Sequence, residues 1–454
     1  MADLRTLLAD ASGRAADYLE GLDARPVAPA PEAVERLRTA LAGPLPEAPS
    51  DAAEVLAFLD AHGSPATIAN AGPRYFGFVT GGALPATLAA NVLAGAWDQN
   101  SLSWVNSPAT AALEETALAW LKEALDLPGE AGGALVTGAT MANFTCLAAA
   151  RNRVLRDAGW DADRDGLFGA PPITVAVGEE AHASLIKVLS MLGLGRDRVV
   201  RVPVDGQGRM RADDLPALDG PSVVCLQAGN VNSGAFDPAE PLIDWAHGAG
   251  AWVHVDGAFG LWARAAPDLA ALAQDYERAD SWATDAHKWL NVPYDCGIAL
   301  VRDPAALSQA MSISGAYLIG SERRDAMDFT PDSSRRARSV EVWAALQSLG
   351  RSGLAEMVQR NCRQARRMAE GLAQGGAEIL NEVCLNQVVA AFGDAEHTAR
   401  VIARVQEDGT CWCGGTEWQG RKAMRISVSS WATTDADIER SIEAILRALG
   451  RNDP

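Results

Sequence analysis

The chain has 454 residues, and 39 Lys+Arg against 58 Asp+Glu leave a formal net charge of −19 at pH 7. This acidity argues against nucleic acid or an anionic membrane surface as the main partner, because the phosphates of either would be repelled. With 48% hydrophobic and 21% charged residues, the composition is neither disordered nor membrane-embedded, and a large cytoplasmic enzyme of two or three domains is the default expectation.

Residues 1–70 alternate helical patterns with Pro-rich breaks, Pro26-Val27-Ala28-Pro29 and Pro44-Leu45-Pro46. Leu4, Leu7, Leu8 and Ala11 fall at helical spacing, which predicts an amphipathic N-terminal arm lying either on its own domain or across a partner subunit. The first residues hold several acidic groups and no unbroken apolar run, so no secretory or transit signal is expected. The most apolar stretch, Gly81 to Trp97, is interrupted by Pro85 and Asn91 and falls short of the roughly 20 residues a membrane span needs. The seven cysteines are scattered except Cys411 and Cys413, whose spacing fits no common zinc pattern. They read as reduced thiols, and no metal site is expected.

From residue 71 to 310, apolar runs recur between helical stretches: Ala134–Thr137, Ile173–Val177, Val199–Val204, Val223–Leu226, Trp252–Val255 and Gly297–Val301. Several are apolar on both faces, which suits an α/β domain whose sheet is covered by helices on each side, with Ala142–Ala158 as one crossover helix.

Four segments of this domain carry chemistry. In Ala134–Ala150, a strand ends in Thr137-Gly138-Ala139-Thr140 and a helix begins, so backbone N–H groups and the Thr140 hydroxyl can bind a phosphate; an ordinary strand-to-helix turn is the other reading. In Ala176–Gly195, a second strand leads into a helix whose first turn carries His182, either a cap or a ring able to lie on an aromatic cofactor. Asp256 closes the strand of Trp252–Gly260, where an ionised carboxylate is costly unless a cation or strong donors pair with it. A protonated pyridine nitrogen is such a cation, and a cap on the following helix is the alternative. Gly257 and Ala258 are small enough to admit a flat ring. In Ser281–Val301, Lys288 stands between His287 and Trp289 after an apolar turn. Burial there would favour the neutral amine that forms a Schiff base with an aldehyde, and a surface lysine is the alternative.

Residues 311–339 are expected to form a linker and mobile loop, its core the charged segment Gly320–Arg338. From 340 to 454 the order changes to long Arg-rich helices (Val340–Gln374), short strand-like runs (Gln387–Phe392, Ala423–Ser429) and a closing helix (Asp435–Leu449), a smaller α+β domain.

Together these motifs resemble the group II pyridoxal-phosphate-dependent amino acid decarboxylases, which include the aromatic amino acid and glutamate decarboxylases. The most specific element is His287-Lys288-Trp289 following Asp256-x-Ala258 and His182. Support comes from Gly229-x-x-x-Ser233-Gly234-Ala235-Phe236-Asp237-Pro238, the segment SLSWVNSPATAALEETALAWL, and Arg425-Ile426-Ser427. The resemblance implies the aspartate-aminotransferase fold (fold type I), with a mainly parallel sheet in the large domain, and pyridoxal 5'-phosphate as cofactor. It makes Lys288 the Schiff-base lysine, pairs Asp256 with the ring nitrogen, and sets His182 and Ala258 on opposite ring faces. Ala139, Thr140 and His287 would hold the phosphate. Asn230 would stand near the ring in a turn, Asn230-Val231-Asn232, where the family usually carries Thr.

The resemblance further implies a homodimer that decarboxylates an L-amino acid to an amine. The family's loop Tyr is missing: Gly320–Arg338 holds only Phe329 as an aromatic, with Tyr317 just before it, so His182 or Tyr317 is expected to return the proton to Cα. The substrate pocket is expected from Phe78 and Val79 and from a partner-subunit stretch near Trp97–Trp104, with Trp104 in contact. These residues favour an apolar or aromatic side chain. Arg74 and Arg425 are candidates for an acidic group; Arg425 either fixes the α-carboxylate or forms a structural ion pair. An aminotransferase, a decarboxylating aldehyde synthase and a carbon–carbon lyase on the same fold are the alternatives.

Overall fold

Seven short strands pair into one sheet: β1 (Gly132–Val136), β2 (Thr174–Gly178), β3 (Val200–Val202), β4 (Ser222–Gln227), β5 (Trp252–Asp256), β6 (Ser281–Asp285) and β7 (Gly297–Val301). Their order is β1-β7-β6-β5-β4-β2-β3. The run β3-β2-β4-β5-β6 is parallel, and β7 is antiparallel to both β6 and β1. This computed structural model describes residues 3–312 and 323–450.

Strands β1, β5, β6 and β7 are buried at every position, as a sheet sandwiched between helices requires. One face packs on the helix Ala139–Asp157, where Leu147, Val154, Val175, Val223 and Leu189 join a common core. Each such side chain contributes about 1.5–3 kcal/mol on burial. Strand β6 was not expected from the sequence: Ser281, Thr284 and Asp285 give SWATD a polar appearance, although all five residues are buried.

By contacts the chain divides into two units. One comprises Gly81–Arg366 and Leu380–Val388 and holds the large sheet; the other comprises Met1–Thr80, Arg367–Ile379 and Val389–Pro454. The second sheet has the order β10-β11-β9-β8, formed by β8 (Glu378–Ile379), β9 (Gln387–Ala391), β10 (Gly414–Trp418) and β11 (Arg421–Ser427). The first helix, Leu4–Glu20, leaves Leu4 and Leu8 more than half exposed. The long helix Ser339–Gln374 is broken at Gly350, whose φ of 59° is open to glycine without strain. Among the described residues, no helix is long and apolar enough to cross a membrane, and no cluster of His, Cys, Asp or Glu could hold a metal ion. None of the seven cysteines is in a disulfide.

Candidate active site

The carboxyl ends of the parallel strands open into a cavity of about 280 Å³, the position where open α/β sheets bind ligands. Thr137–Thr140 line it after β1, His182 and Ser184 after β2, and Gln227, Gly229 and Val231 at the end of β4. Asp256, Ala258 and Phe259 come from β5, and Asp285, His287 and Lys288 from β6.

Lys288 is not a solvated surface lysine. Its side chain is 19% exposed, its Nζ lies 3.2 Å from Asp285 Oδ2, and it stands over the Phe259 ring. Both neighbours are locked. The backbone N–H of Cys296 donates to His287 Nδ1 at 3.1 Å, and buried Trp289 donates from Nε1 to Asn361 Oδ1 at 3.0 Å. Gly81 packs so closely that a Cβ there would fall 1.6 Å from the Lys288 carbonyl oxygen.

Asp256 is buried at the end of β5 and accepts the Ala258 N–H at 3.3 Å. Burial raises its pKa, while the charges of His182 and Lys288 pull it down, so a further cation in the cavity would stabilise the carboxylate. His182 caps the helix Ala183–Met191: its Nδ1 accepts the Ser184 N–H at 3.2 Å. An N–H can only donate, so in the neutral ring the proton resides on Nε2. His182 is thus a cap that also lines the cavity.

At the start of the helix Ala139–Asp157, the Ala139 N–H is taken by Asp285 Oδ1 at 2.5 Å. Among the described residues, neither the N–H nor the hydroxyl of Thr140 has a hydrogen-bond partner. His287 Nε2 lies 3.5 Å from Asp285 Oδ1. Burial holds the His287 imidazole below its ordinary pKa, and because Nδ1 accepts from Cys296, Nε2 carries the proton. A Cβ on Gly138 would approach His287 Cε1 to 3.1 Å, so the glycine keeps this end of the cavity open. Free donors at a helix N-terminus, an amine and a buried carboxylate in one cavity match a phosphate, an aldehyde and a ring cation.

Lys288, Asp256, Ala258, His182, His287, Ala139 and Thr140 are therefore brought together, with the Ala139 N–H already occupied. Asn230 is not. Its Oδ1 accepts the N–H groups of Asn232 and Ser233 and its Nδ2 donates to Gln227, so it builds the turn while Gln227 and Val231 face the cavity. Trp104 is half-buried, with the Arg323 guanidinium 4.2 Å above its ring, and does not line the cavity. Phe78, Val79 and Arg425 belong to the other unit. There Phe78 stacks on Trp412, and Phe78 and Val79 have φ of 53° and 58°, strained for a β-branched valine. Arg425 is half-buried on β11, and burial lowers its guanidinium pKa. Arg74 corrects one expectation: its guanidinium pairs with Asp23 and, at 2.8 Å, with Asp437, a structural role that leaves it unsuited to a substrate carboxylate. Tyr317 lies outside the described residues. Phe329 packs on the large core beneath Arg324 and does not line the cavity.

Asp285 had no expected role, because the polar sequence of β6 does not announce the buried strand that it closes.

The model for the pyridoxal-dependent decarboxylase conserved domain matches residues 50–392. Tryptophan decarboxylase 1 from Oryza sativa subsp. japonica is 26% identical over 83% of this chain and 80% of its own. The L-2,4-diaminobutyrate decarboxylase of Rhizobium meliloti is 29% identical over 80% and 75%. The crystal structure of Oryza sativa TDC with PLP and tryptamine superposes with a TM-score of 0.89 at 23% identity, covering 98% of this chain and 97% of that one.

Proposed function

The chain belongs to the pyridoxal-dependent decarboxylase family, a pyridoxal-phosphate-dependent amino acid decarboxylase on fold type I, and we propose that its substrate is an L-amino acid with an apolar or aromatic side chain, released as CO₂ and the amine. The observation that carries the catalytic reading is the convergence of Lys288, Asp256 and His182 on one cavity beside the open donors of Thr140.

When bound, pyridoxal phosphate supplies a conjugated ring able to take up the electron pair left by CO₂. The residues divide the remaining work. The Thr140 N–H and hydroxyl and His287 Nε2 hold the phosphate. Lys288 Nζ would be the amine that holds the cofactor through its aldehyde. Asp256 keeps a proton on the ring nitrogen, and Ala258 leaves room for the ring. His182 would cover the ring and, as the imidazolium, supply a proton from Nε2 to Cα. Its place on the cavity wall supports that assignment, with Tyr317 as the alternative donor.

Phe78, Val79, Trp104 and Arg425 remain the proposed substrate-binding residues, and a homodimer the proposed assembly. Exposed Leu4, Leu8, Val92, Leu93 and Trp97 offer apolar surface for such an interface. The aromatic reading follows the tryptophan decarboxylase relative, whereas the diaminobutyrate decarboxylase favours a basic substrate. Incubation with tryptophan, phenylalanine, 2,4-diaminobutyrate and glutamate, separating amine, aldehyde and keto acid, tests the proposal. Amine from the aromatic substrates without any keto-acid requirement is the expected result. Turnover of diaminobutyrate or glutamate alone, or aldehyde as product, would overturn it.

A further inference from the structure

Gln227 closes β4, and its Cα pairs with that of Asp256 on β5. Its backbone is held twice: the N–H donates to Asp237 Oδ2 at 2.7 Å, and the carbonyl accepts the Tyr276 hydroxyl at 3.0 Å. The direction of its side-chain amide follows from its neighbours. Asn230 Oδ1 accepts the N–H groups of Asn232 and Ser233 at 2.8 and 3.1 Å, and an N–H can only donate, so the other end of the Asn230 amide is Nδ2. That Nδ2 lies 3.0 Å from the Gln227 amide, whose facing atom must therefore be the acceptor Oε1. Gln227 Nε2 is left as a donor aimed elsewhere. Among the described residues it has no hydrogen-bond partner, and it is not sealed from solvent. The ligand-sized space beside it is the cavity that Gln227 lines together with Asp256 and Lys288. The void on its other side, of about 10 Å³, holds at most one water.

We propose that Gln227 is a further cofactor-binding residue, its Nε2 donating to the phenolic oxygen of pyridoxal phosphate, with Asn230 fixing the direction of that amide. The inference rests on the reading of the cavity as the pyridoxal-phosphate site. Along the sheet, the order β1-β7-β6-β5-β4 puts the Thr140 donors at one end, Lys288 and Asp256 between, and Gln227 at the other. On the cofactor ring, the carbons away from the phosphate arm carry a methyl group and the phenolic oxygen, and only the oxygen can accept an N–H. A donor there stabilises the phenolate through a charge-assisted hydrogen bond.

The test pairs the residue with the atom it meets. Pyridoxal phosphate and its deoxy analogue, in which hydrogen replaces the phenolic hydroxyl, are titrated into the full chain as wild type, Gln227→Glu and Gln227→Leu, and dissociation constants are read from tryptophan fluorescence. Gln227→Glu keeps an acceptor for Asn230 Nδ2, so the turn survives there even if Gln227→Leu does not fold. Wild type should prefer pyridoxal phosphate over the analogue. In the variants that preference should fall about tenfold or more, as loss of one charge-assisted hydrogen bond requires. An equal preference in wild type and Gln227→Glu would overturn the contact and leave the cofactor site standing. No binding of pyridoxal phosphate by the wild type would overturn the reading of the cavity as well.

Discussion

Asp285 joins two parts of the site: one carboxylate oxygen lies 3.2 Å from Lys288 Nζ, and the other accepts the Ala139 N–H at 2.5 Å. A single side chain at the end of β6 thus ties the amine to the helix N-terminus beside it. Asp285→Ala should leave a buried N–H without its acceptor and cost about 1–3 kcal/mol of stability, whereas Asp285→Asn, which keeps an acceptor oxygen, should cost less. Denaturant unfolding of the three proteins measures the difference.

The contact of Gly81 with the Lys288 backbone sets a second expectation. Since a Cβ would fall 1.6 Å from the carbonyl oxygen, Gly81→Ala must displace the lysine loop. It should destabilise the fold by about 1–3 kcal/mol and weaken cofactor retention, seen as loss of visible absorbance on gel filtration.

Glu114 is completely buried and pairs with Arg335 at 3.1 Å and Arg324 at 3.3 Å. Its burial alone would raise the carboxyl pKa, but the two guanidiniums outweigh that and hold it below the usual range. A carboxylate with a depressed folded pKa adds stability that is present above its unfolded pKa and lost as pH falls through the folded one. Glu114→Gln should cost about 3–5 kcal/mol at pH 7, because it strands buried Arg335. The deficit relative to wild type should shrink in acid, and melting temperatures from pH 7 to pH 4 follow it.

His254 gives the opposite acid–base case with the same sign. Its folded pKa of about 3 lies below the ordinary 6.5, so the unfolded chain binds the proton first and stability falls as pH drops below about 6.5. The slope is about 1.4 kcal/mol per pH unit for one such group. In His254→Gln the melting temperature should fall less steeply between pH 6.5 and pH 4.5, and an identical slope would contradict this.

Much of the site was legible because it obeys local rules. Asp256, His182 and Thr140 each sit at a strand end or helix start that the chain itself announces, Lys288 stands out between His287 and Trp289, and the parallel strands gather them at one edge. What stayed hidden depended on partners distant in sequence. The ion pair of Arg74 with Asp437 leaves no local pattern, so the arginine looked available. Asn230 looked like a ligand because its amide can serve a turn or a cofactor equally well, and only the Asn232 and Ser233 N–H groups decide for the turn. Strand β6 escaped notice because burial of Ser281, Thr284 and Asp285 is made tolerable by hydrogen bonds from Trp252 on β5, to the Ala258 carbonyl just beyond it, and from the helix start.

Lys288 is proposed to carry the cofactor, and the chain has only four lysines among which to locate it: Lys122, Lys187, Lys288 and Lys422. Borohydride reduction of the protein loaded with pyridoxal phosphate, followed by proteolysis and peptide mass spectrometry, should place a single pyridoxyl adduct on the peptide containing His287-Lys288-Trp289. An adduct on any other lysine, or none, would contradict the account.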